Sequence, residues 1–316
     1  MLRVLWKCVK WLAGIAAALA LAAGFYVGNT VYEELLASPW DQILGIRNQS
    51  ADLAAVHARE RVWGWEPVEV RAADGTVLAG TYVPRADGSH RTVILVHGLY
   101  ANRAMCLPLV ELYQQMDYNV LLVDLRGHGE SGGRHTMWGM KETEDFQAWL
   151  AFLRAKDPAV RAGFHGISLG AALSILACGA HPEEPFLFCI ADSAYADLLS
   201  LGREKLYAWT GDDRLLLGMD AVDPFFQAAM FVHTGKLLKD ITPLDAAETM
   251  RAPALFLHGA EDRLVPPEAA EELGRACASP EKKVVLFEGA GHAQELALQP
   301  EAYAETVRRF LAGRGQ

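Results

Sequence analysis

Ser168 stands between two glycines in Gly166-Ile-Ser168-Leu-Gly170, Asp262 sits in His258-Gly-Ala-Glu-Asp262-Arg-Leu-Val-Pro266, and His292 closes Glu288-Gly-Ala-Gly-His292. A serine hydroxyl is a weak nucleophile at neutral pH unless a neighbouring base takes its proton. An imidazole does this near neutrality and can return the proton to a leaving group. A carboxylate behind the ring holds its tautomer and stabilises the imidazolium. In the order Ser, Asp, His, these types describe a relay for attack on an acyl carbonyl. The bland reading of Gly166 to Gly170 is a serine N-cap on a small-residue helix.

Position has to select among ten histidines. His57 and His90 precede the run of apolar strands, and His181 and His233 lie in polar or lid-like segments. His258 ends a strand and reads as packing, and His165 lies on the strand before Ser168, directed away from it. For the acid, Glu261 is a weaker choice and Asp192 the main rival. An oxyanion also needs backbone donors. Gly98 in His97-Gly98-Leu99 lets a loop approach a substrate oxygen, so the expected donors are the N–H groups of Leu99 or Tyr100 and of Leu169, directly after the serine.

These residues need rigid elements beneath them. Val68–Arg71 and Val77–Val83 flank Asp74-Gly75, a hairpin signal. Apolar strand-like runs follow at Thr92–Val96, Asn119–Asp124, Val160–His165, Phe186–Ala191, Ala254–His258 and Lys283–Phe287. Between them, helical spacing appears at 103–116, Lys141–Lys156, Leu169–Ala180, Glu268–Cys277 and Pro300–Leu311. The alternation predicts an α/β fold with a mostly parallel sheet covered by helices on both faces. Ligands of such sheets sit at the carboxyl ends of the strands, where Ser168, Asp262 and His292 fall.

His97-Gly98, Asp124-Leu-Arg-Gly-His-Gly-Glu-Ser131, Gly166-Ile-Ser-Leu-Gly170, Gly259-Ala-Glu-Asp262 with Val265-Pro266, and Gly291-His292 resemble the serine α/β-hydrolases over about residues 66–313. The nearest likeness is the serine aminopeptidase-like and monoglyceride-lipase-like branch. The resemblance implies a Ser168–Asp262–His292 triad with esterase, lipase, thioesterase or peptidase chemistry, and no metal or organic cofactor. It makes Asp124–Ser131 a structural loop near the site, with no catalytic role for His128. A serine nucleophile speaks against the dehalogenase and epoxide-hydrolase branches, which use aspartate. The chain lacks an HGGG-type loop and an acidic cluster suited to a peptide's amino terminus. Ester cleavage is therefore the first reading; transfer to another acceptor, peptide cleavage and a non-catalytic binding module are the alternatives.

Residues 193–250 interrupt the alternation where that family inserts a cap. Tyr195, Tyr207, Trp209, Phe225, Phe226 and Phe231 make this segment either a lid over an acyl-binding cleft or helices completing the core. At the other end, Trp11–Gly28 is 18 residues without a charge, preceded by Arg3, Lys7 and Lys10. As a helix it spans about 27 Å, close to a bilayer's hydrocarbon thickness. The expected division is a membrane anchor or signal segment at 1–28, a connector at 29–65, and a hydrolase domain at 66–316. Basic residues before the apolar run place that domain outside the cytoplasm, tethered, or secreted if the segment is cleaved. A net charge of −10 argues against a nucleic-acid partner, and the resemblance implies a small acyl-ester or lipid-like substrate. Five cysteines in no metal-ligand spacing leave at least one thiol unpaired.

Overall fold

The computed structural model describes residues 2–38, 52–86 and 88–312; the part of the expected connector at 39–51 lies outside them. The described residues form two compact units, one of residues 2–38 with Gly202–Asp240 and one of residues 52–201 with 241–312.

The larger unit is built on an eight-stranded sheet in the order β1-β2-β4-β3-β5-β6-β7-β8. The strands are β1 (Glu66–Arg71), β2 (Val77–Val83), β3 (Arg91–Val96), β4 (Asn119–Val123), β5 (Arg161–Ile167), β6 (Cys189–Asp192), β7 (Ala254–Gly259) and β8 (Lys282–Phe287). β2 runs antiparallel to both β1 and β4, and every other pairing is parallel. The Asp74-Gly75 turn closes the hairpin, with Gly75 at φ 84° and Asp74 Oδ1 accepting the Thr76 N–H at 3.1 Å. Four of the five residues of β3 after Arg91 are aliphatic, and all five are buried. Such two-faced burial is what parallel strands under helices on both sides require.

Helices follow strands as the alternation predicts. With α1 and α2 described below, they are α3 (Leu107–Gln114) after a short 3-10 turn at Arg103–Cys106, α4 (Glu142–Lys156), α5 (Leu169–Ala180), α6 (Leu198–Thr210), α7 (Asp213–Thr234), α8 (Pro243–Thr249), α9 (Glu268–Ala276), α10 (Glu295–Leu298) and α11 (Pro300–Leu311). Against β3 and β5, the side chains of Leu109, Tyr113, Tyr118, Phe188, Tyr303 and Val307 close one continuous core. Two local expectations differ. β6 begins only at Cys189, because Phe186–Phe188 pair irregularly, with the Leu187 N–H on Ala162 O. A helix, α2 (Ala54–Trp63), stands where the polar composition reads as connector, and Gly64 at φ 69° ends it.

In the smaller unit, α1 (Leu2–Ala37) runs past Gly28, since no proline lies within it and no charge stands between Trp11 and Tyr32. It is long and apolar enough to cross a membrane, and its apolar stretch is exposed. Gly24 and Gly28 face α7: a side chain at either would overlap the Phe225 ring or main chain. One turn further on, the His233 ring stacks on Tyr32 at 4.3 Å, with Nε2 2.7 Å from Asn29 Oδ1. Trp209 and Phe231 are 82% and 56% exposed, whereas Tyr195 is buried in the larger unit. All five cysteines are free thiols, four of them buried.

Candidate active site

Ser168 occupies the sharp turn from β5 into α5, at φ 55° and ψ −116°. A non-glycine residue tolerates such a conformation only where its surroundings over-determine it. Gly166 and Gly170 explain how the turn is held. A Cβ at Gly166 would run into the Gly170 carbonyl, and one at Gly170 into the carbonyls of Val96 and His97. Only two bare Cα positions let strand, turn and helix approach so closely. The Ser168 side chain caps no helix N–H. It meets His292 instead, Oγ to Nε2 at 2.7 Å.

The far nitrogen of that ring, Nδ1, lies 2.7 Å from Asp262 Oδ2. Asp262 follows β7 and His292 follows β8, so the three residues come from loops after three strands at one end of the sheet. The His292 side chain is 16% exposed and that of Asp262 is fully enclosed. Burial by itself would push the Asp262 carboxyl up. Hydrogen bonds from His258, His292 and the Val265 N–H outweigh it and hold the group well below the usual carboxylate range. Asp262 is thus an anion whose orientation is fixed.

Beside the serine lies the loop after β3. A Cβ at Gly98 would stand 3.5 Å from Ser168 Cβ. The Gly98 carbonyl accepts the Ala101 N–H at 3.2 Å, across a turn in which Tyr100 has φ 56°. Among the described residues neither the Leu99 nor the Leu169 N–H is used in a hydrogen bond. Leu169 is the first residue of α5, where helical N–H groups have no intrahelical acceptor. His97 braces this loop: Nδ1 donates to Gly98 O at 2.7 Å and Nε2 accepts the Leu125 N–H at 3.0 Å. Both nitrogens are committed, and burial, with the nearby His128, lowers its pKa to about 3, so the ring is neutral.

The competing residues lie elsewhere. Glu261 is exposed, and Asp192 is buried at the end of β6, receiving the Tyr303 hydroxyl at 2.7 Å. His165 is enclosed between the hydroxyls of Tyr113 and Tyr303, both at 2.8 Å. His57 pairs with Glu60 and Glu130, His90 with Asp157, and His181 with Glu183. His258, which reads as packing, also has its Nε2 3.1 Å from Asp262 Oδ2. Its position four residues before Asp262 on a strand end was the available signal.

A parallel sheet with an elbow serine after its fifth strand, and an acid and an imidazole after its seventh and eighth, defines the α/β-hydrolase class of fold. The chain belongs to the alpha/beta hydrolase family, whose model matches residues 93–306. It is 30% identical over 246 residues to an uncharacterized protein of Mycobacterium tuberculosis, covering 77% of this chain and 78% of that protein. It is 25% identical over 252 residues to a thermostable monoacylglycerol lipase of Bacillus sp. (strain H-257), covering 75% of this chain and 96% of that protein. A Pyrococcus furiosus esterase superposes with a TM-score of 0.63 at 27% identity, covering 79% of this chain and 92% of that one.

Proposed function

We propose that the protein is a serine hydrolase that cleaves acyl esters. Ser168 is the nucleophile, His292 the general base and Asp262 the orienting acid. The observation that carries the reading is the unbroken line Ser168 Oγ–His292 Nε2, His292 Nδ1–Asp262 Oδ2, with both separations at 2.7 Å. In the reaction Ser168 Oγ attacks the acyl carbonyl carbon as its proton passes to His292 Nε2. The tetrahedral oxyanion takes hydrogen bonds from the Leu99 and Leu169 N–H groups. Collapse expels the alcohol, which leaves with the proton from His292, and water repeats the sequence on the acyl-enzyme to release the acid. Ester rather than amide chemistry is favoured by likeness to an esterase and a monoacylglycerol lipase. It also agrees with the resemblance of the motifs to the monoglyceride-lipase-like branch.

The length, apolarity and exposure of α1 support a single N-terminal membrane anchor, with the basic residues Arg3, Lys7 and Lys10 on the cytoplasmic side. Hydrophobic acyl esters suit an enzyme held at a lipid surface.

A fluorophosphonate probe tests the nucleophile: it labels the protein, and undiminished labelling of Ser168→Ala overturns the assignment. A p-nitrophenyl ester chain-length series beside aminoacyl-nitroanilides tests the substrate class, and turnover of the anilides alone overturns ester cleavage. Retention in the membrane pellet after carbonate extraction is expected of the full chain, and release to the supernatant counts against the anchor.

A further inference from the structure

We propose that Ser193 is a positioning residue which, through its hydroxyl, holds His292 in register with Ser168. The inference rests on the triad reading and deepens it by assigning what sets the geometry of the relay. Ser168 and His292 are 124 residues apart in sequence, and the dipeptide Asp192-Ser193 at the end of β6 touches the chain at both. The Ser168 N–H donates to the Asp192 carbonyl at 2.7 Å, the last rung between β5 and β6 before the elbow. One residue on, Ser193 Oγ accepts the Ala293 N–H at 3.1 Å, directly after the imidazole. On the other side of His292, the Ala290 carbonyl receives the Glu261 N–H at 2.9 Å. The loop is therefore pinned on both flanks of His292. One pin leads to the loop of Asp262 and the other to the peptide that fixes Ser168.

The strain is consistent with such a device. Ser168, Ser193 and Ala293 have φ of 55°, 58° and 53°, a region non-glycine residues rarely occupy. All three belong to this one network. Strain of this kind persists only when surrounding bonds over-determine it.

The Ser193 hydroxyl is itself aimed. Its hydrogen goes to Glu295 Oε1 at 2.9 Å, with Asp192 Oδ1 at 3.2 Å, leaving lone pairs for the Ala293 N–H. Behind Asp192 runs a buried chain of donors. The Tyr113 hydroxyl gives to His165 Nδ1, His165 Nε2–H gives to the Tyr303 hydroxyl, and that hydroxyl gives to Asp192 Oδ2. The tautomer of His165 follows from this order of donors. The carboxyls of Asp192 and Glu295 face each other within hydrogen-bonding reach. Burial first, and the charge of Glu295 second, raise the Asp192 pKa well above the carboxylate range. The Ser193 hydroxyl thus has two enclosed carboxyl oxygens as acceptors for its hydrogen.

Glycine at 193 is the discriminating substitution, since it removes the hydroxyl while suiting the positive φ. In full-length Ser193→Gly, kcat on a p-nitrophenyl ester is expected to fall about ten- to hundredfold, with KM within about twofold and melting temperature held or raised. Ser193→Ala is expected to lose the same kcat while melting lower. A second readout does not depend on turnover: the downfield proton resonance of His292 Nδ1–H, assigned by its absence in His292→Ala, is sharp in the wild type and broadened in Ser193→Gly. A Ser193→Gly protein with wild-type kcat and a wild-type resonance overturns the inference, as does a kcat loss confined to the less stable Ser193→Ala. A wild-type protein that shows the resonance without hydrolysing esters removes the hydrolase reading, and the positioning role then stands or falls on the broadening alone.

Discussion

His258 and His292 approach the same oxygen of one carboxylate: Asp262 Oδ2 lies 3.1 Å from His258 Nε2 and 2.7 Å from His292 Nδ1. The other oxygen, Oδ1, accepts the N–H groups of Leu264 and Val265 at 2.8 and 2.9 Å. His258 Nε2 is also 3.0 Å from the Val265 carbonyl, so its single hydrogen is divided between a main-chain and a carboxylate acceptor. Four donors thus surround an enclosed anion, and those of His258, His292 and Val265 hold its pKa down against burial. A depressed acid contributes stability that is fully present above its unfolded value, about 3.9. That contribution is lost only as pH falls through the lower folded value.

The two candidate acids separate cleanly by substitution. Asp262→Asn leaves an amide that cannot both accept from His292 and keep its main-chain partners, so the ring loses its tautomer. A fall in kcat of about 10⁴-fold is expected with the fold intact. Asp192→Asn keeps an acceptor for the Tyr303 hydroxyl and removes no contact to the His292 ring, and it is expected to cost less than about tenfold. Steady-state kinetics on one ester decides the matter, and the reverse ranking would move the acid to Asp192.

Ser168→Ala removes the proposed nucleophile while its neighbours stay in place. We expect kcat to fall by about 10⁴- to 10⁶-fold, with residual turnover from the oxyanion donors. Circular dichroism and melting temperature should match wild type or improve, because alanine at φ 55° loses no structural hydrogen bond of the side chain other than that to His292. Intact-mass measurement after fluorophosphonate treatment checks the same point without substrate.

The architecture was legible because apolar runs of four to eight residues alternate with helical spacing, and a buried parallel sheet is the packing such runs satisfy. Ser168, Asp262 and His292 stood out because each follows a strand, in an order that polar packing has no reason to produce. Other features left less trace. The second contact of His258 depends on how the turn at 259–262 folds back, which residue type does not encode. Ser193 belongs to no motif, and its partner Ala293 offers only a main-chain N–H, which every residue but proline possesses. The helix Ala54–Trp63 has a single buried residue, Val56, too little for an apolar stripe to show. Asp192 reads as a rival acid in the sequence, yet its surroundings depend on Glu295 and Tyr303, about a hundred residues further on.

Gly170→Ala tests the steric basis of the elbow. The added methyl would collide with the carbonyls of Val96, the last residue of β3, and of His97 directly after it, main-chain atoms that cannot swing aside as a side chain would. A loss of about 3 kcal/mol or more is expected, or failure to fold. Gly202→Ala is the matched control, since nothing lies within 4 Å of its added Cβ and its helix gains propensity. Urea melts of the two proteins in parallel would show the difference, and equal midpoints would refute the steric account.

Acid stability should report two buried histidines remote from proton transfer. His97 and His165 each have a pKa lowered to about 3, by burial first in both cases. Unfolded, each would titrate near 6.5. Between those values the unfolded chain binds protons that the native protein refuses, so stability falls as pH drops from about 6.5 and levels off below the folded pKa. Each group contributes a loss on the order of several kcal/mol across that window. His165→Gln keeps an acceptor for Tyr113 and a donor for Tyr303 without a titrating nitrogen, and it should flatten the profile by about one histidine's share. Denaturant midpoints at pH 7.5, 6, 5 and 4 measure this directly. A His165→Gln curve parallel to wild type would mean that the buried ring is not what couples folding to protons here.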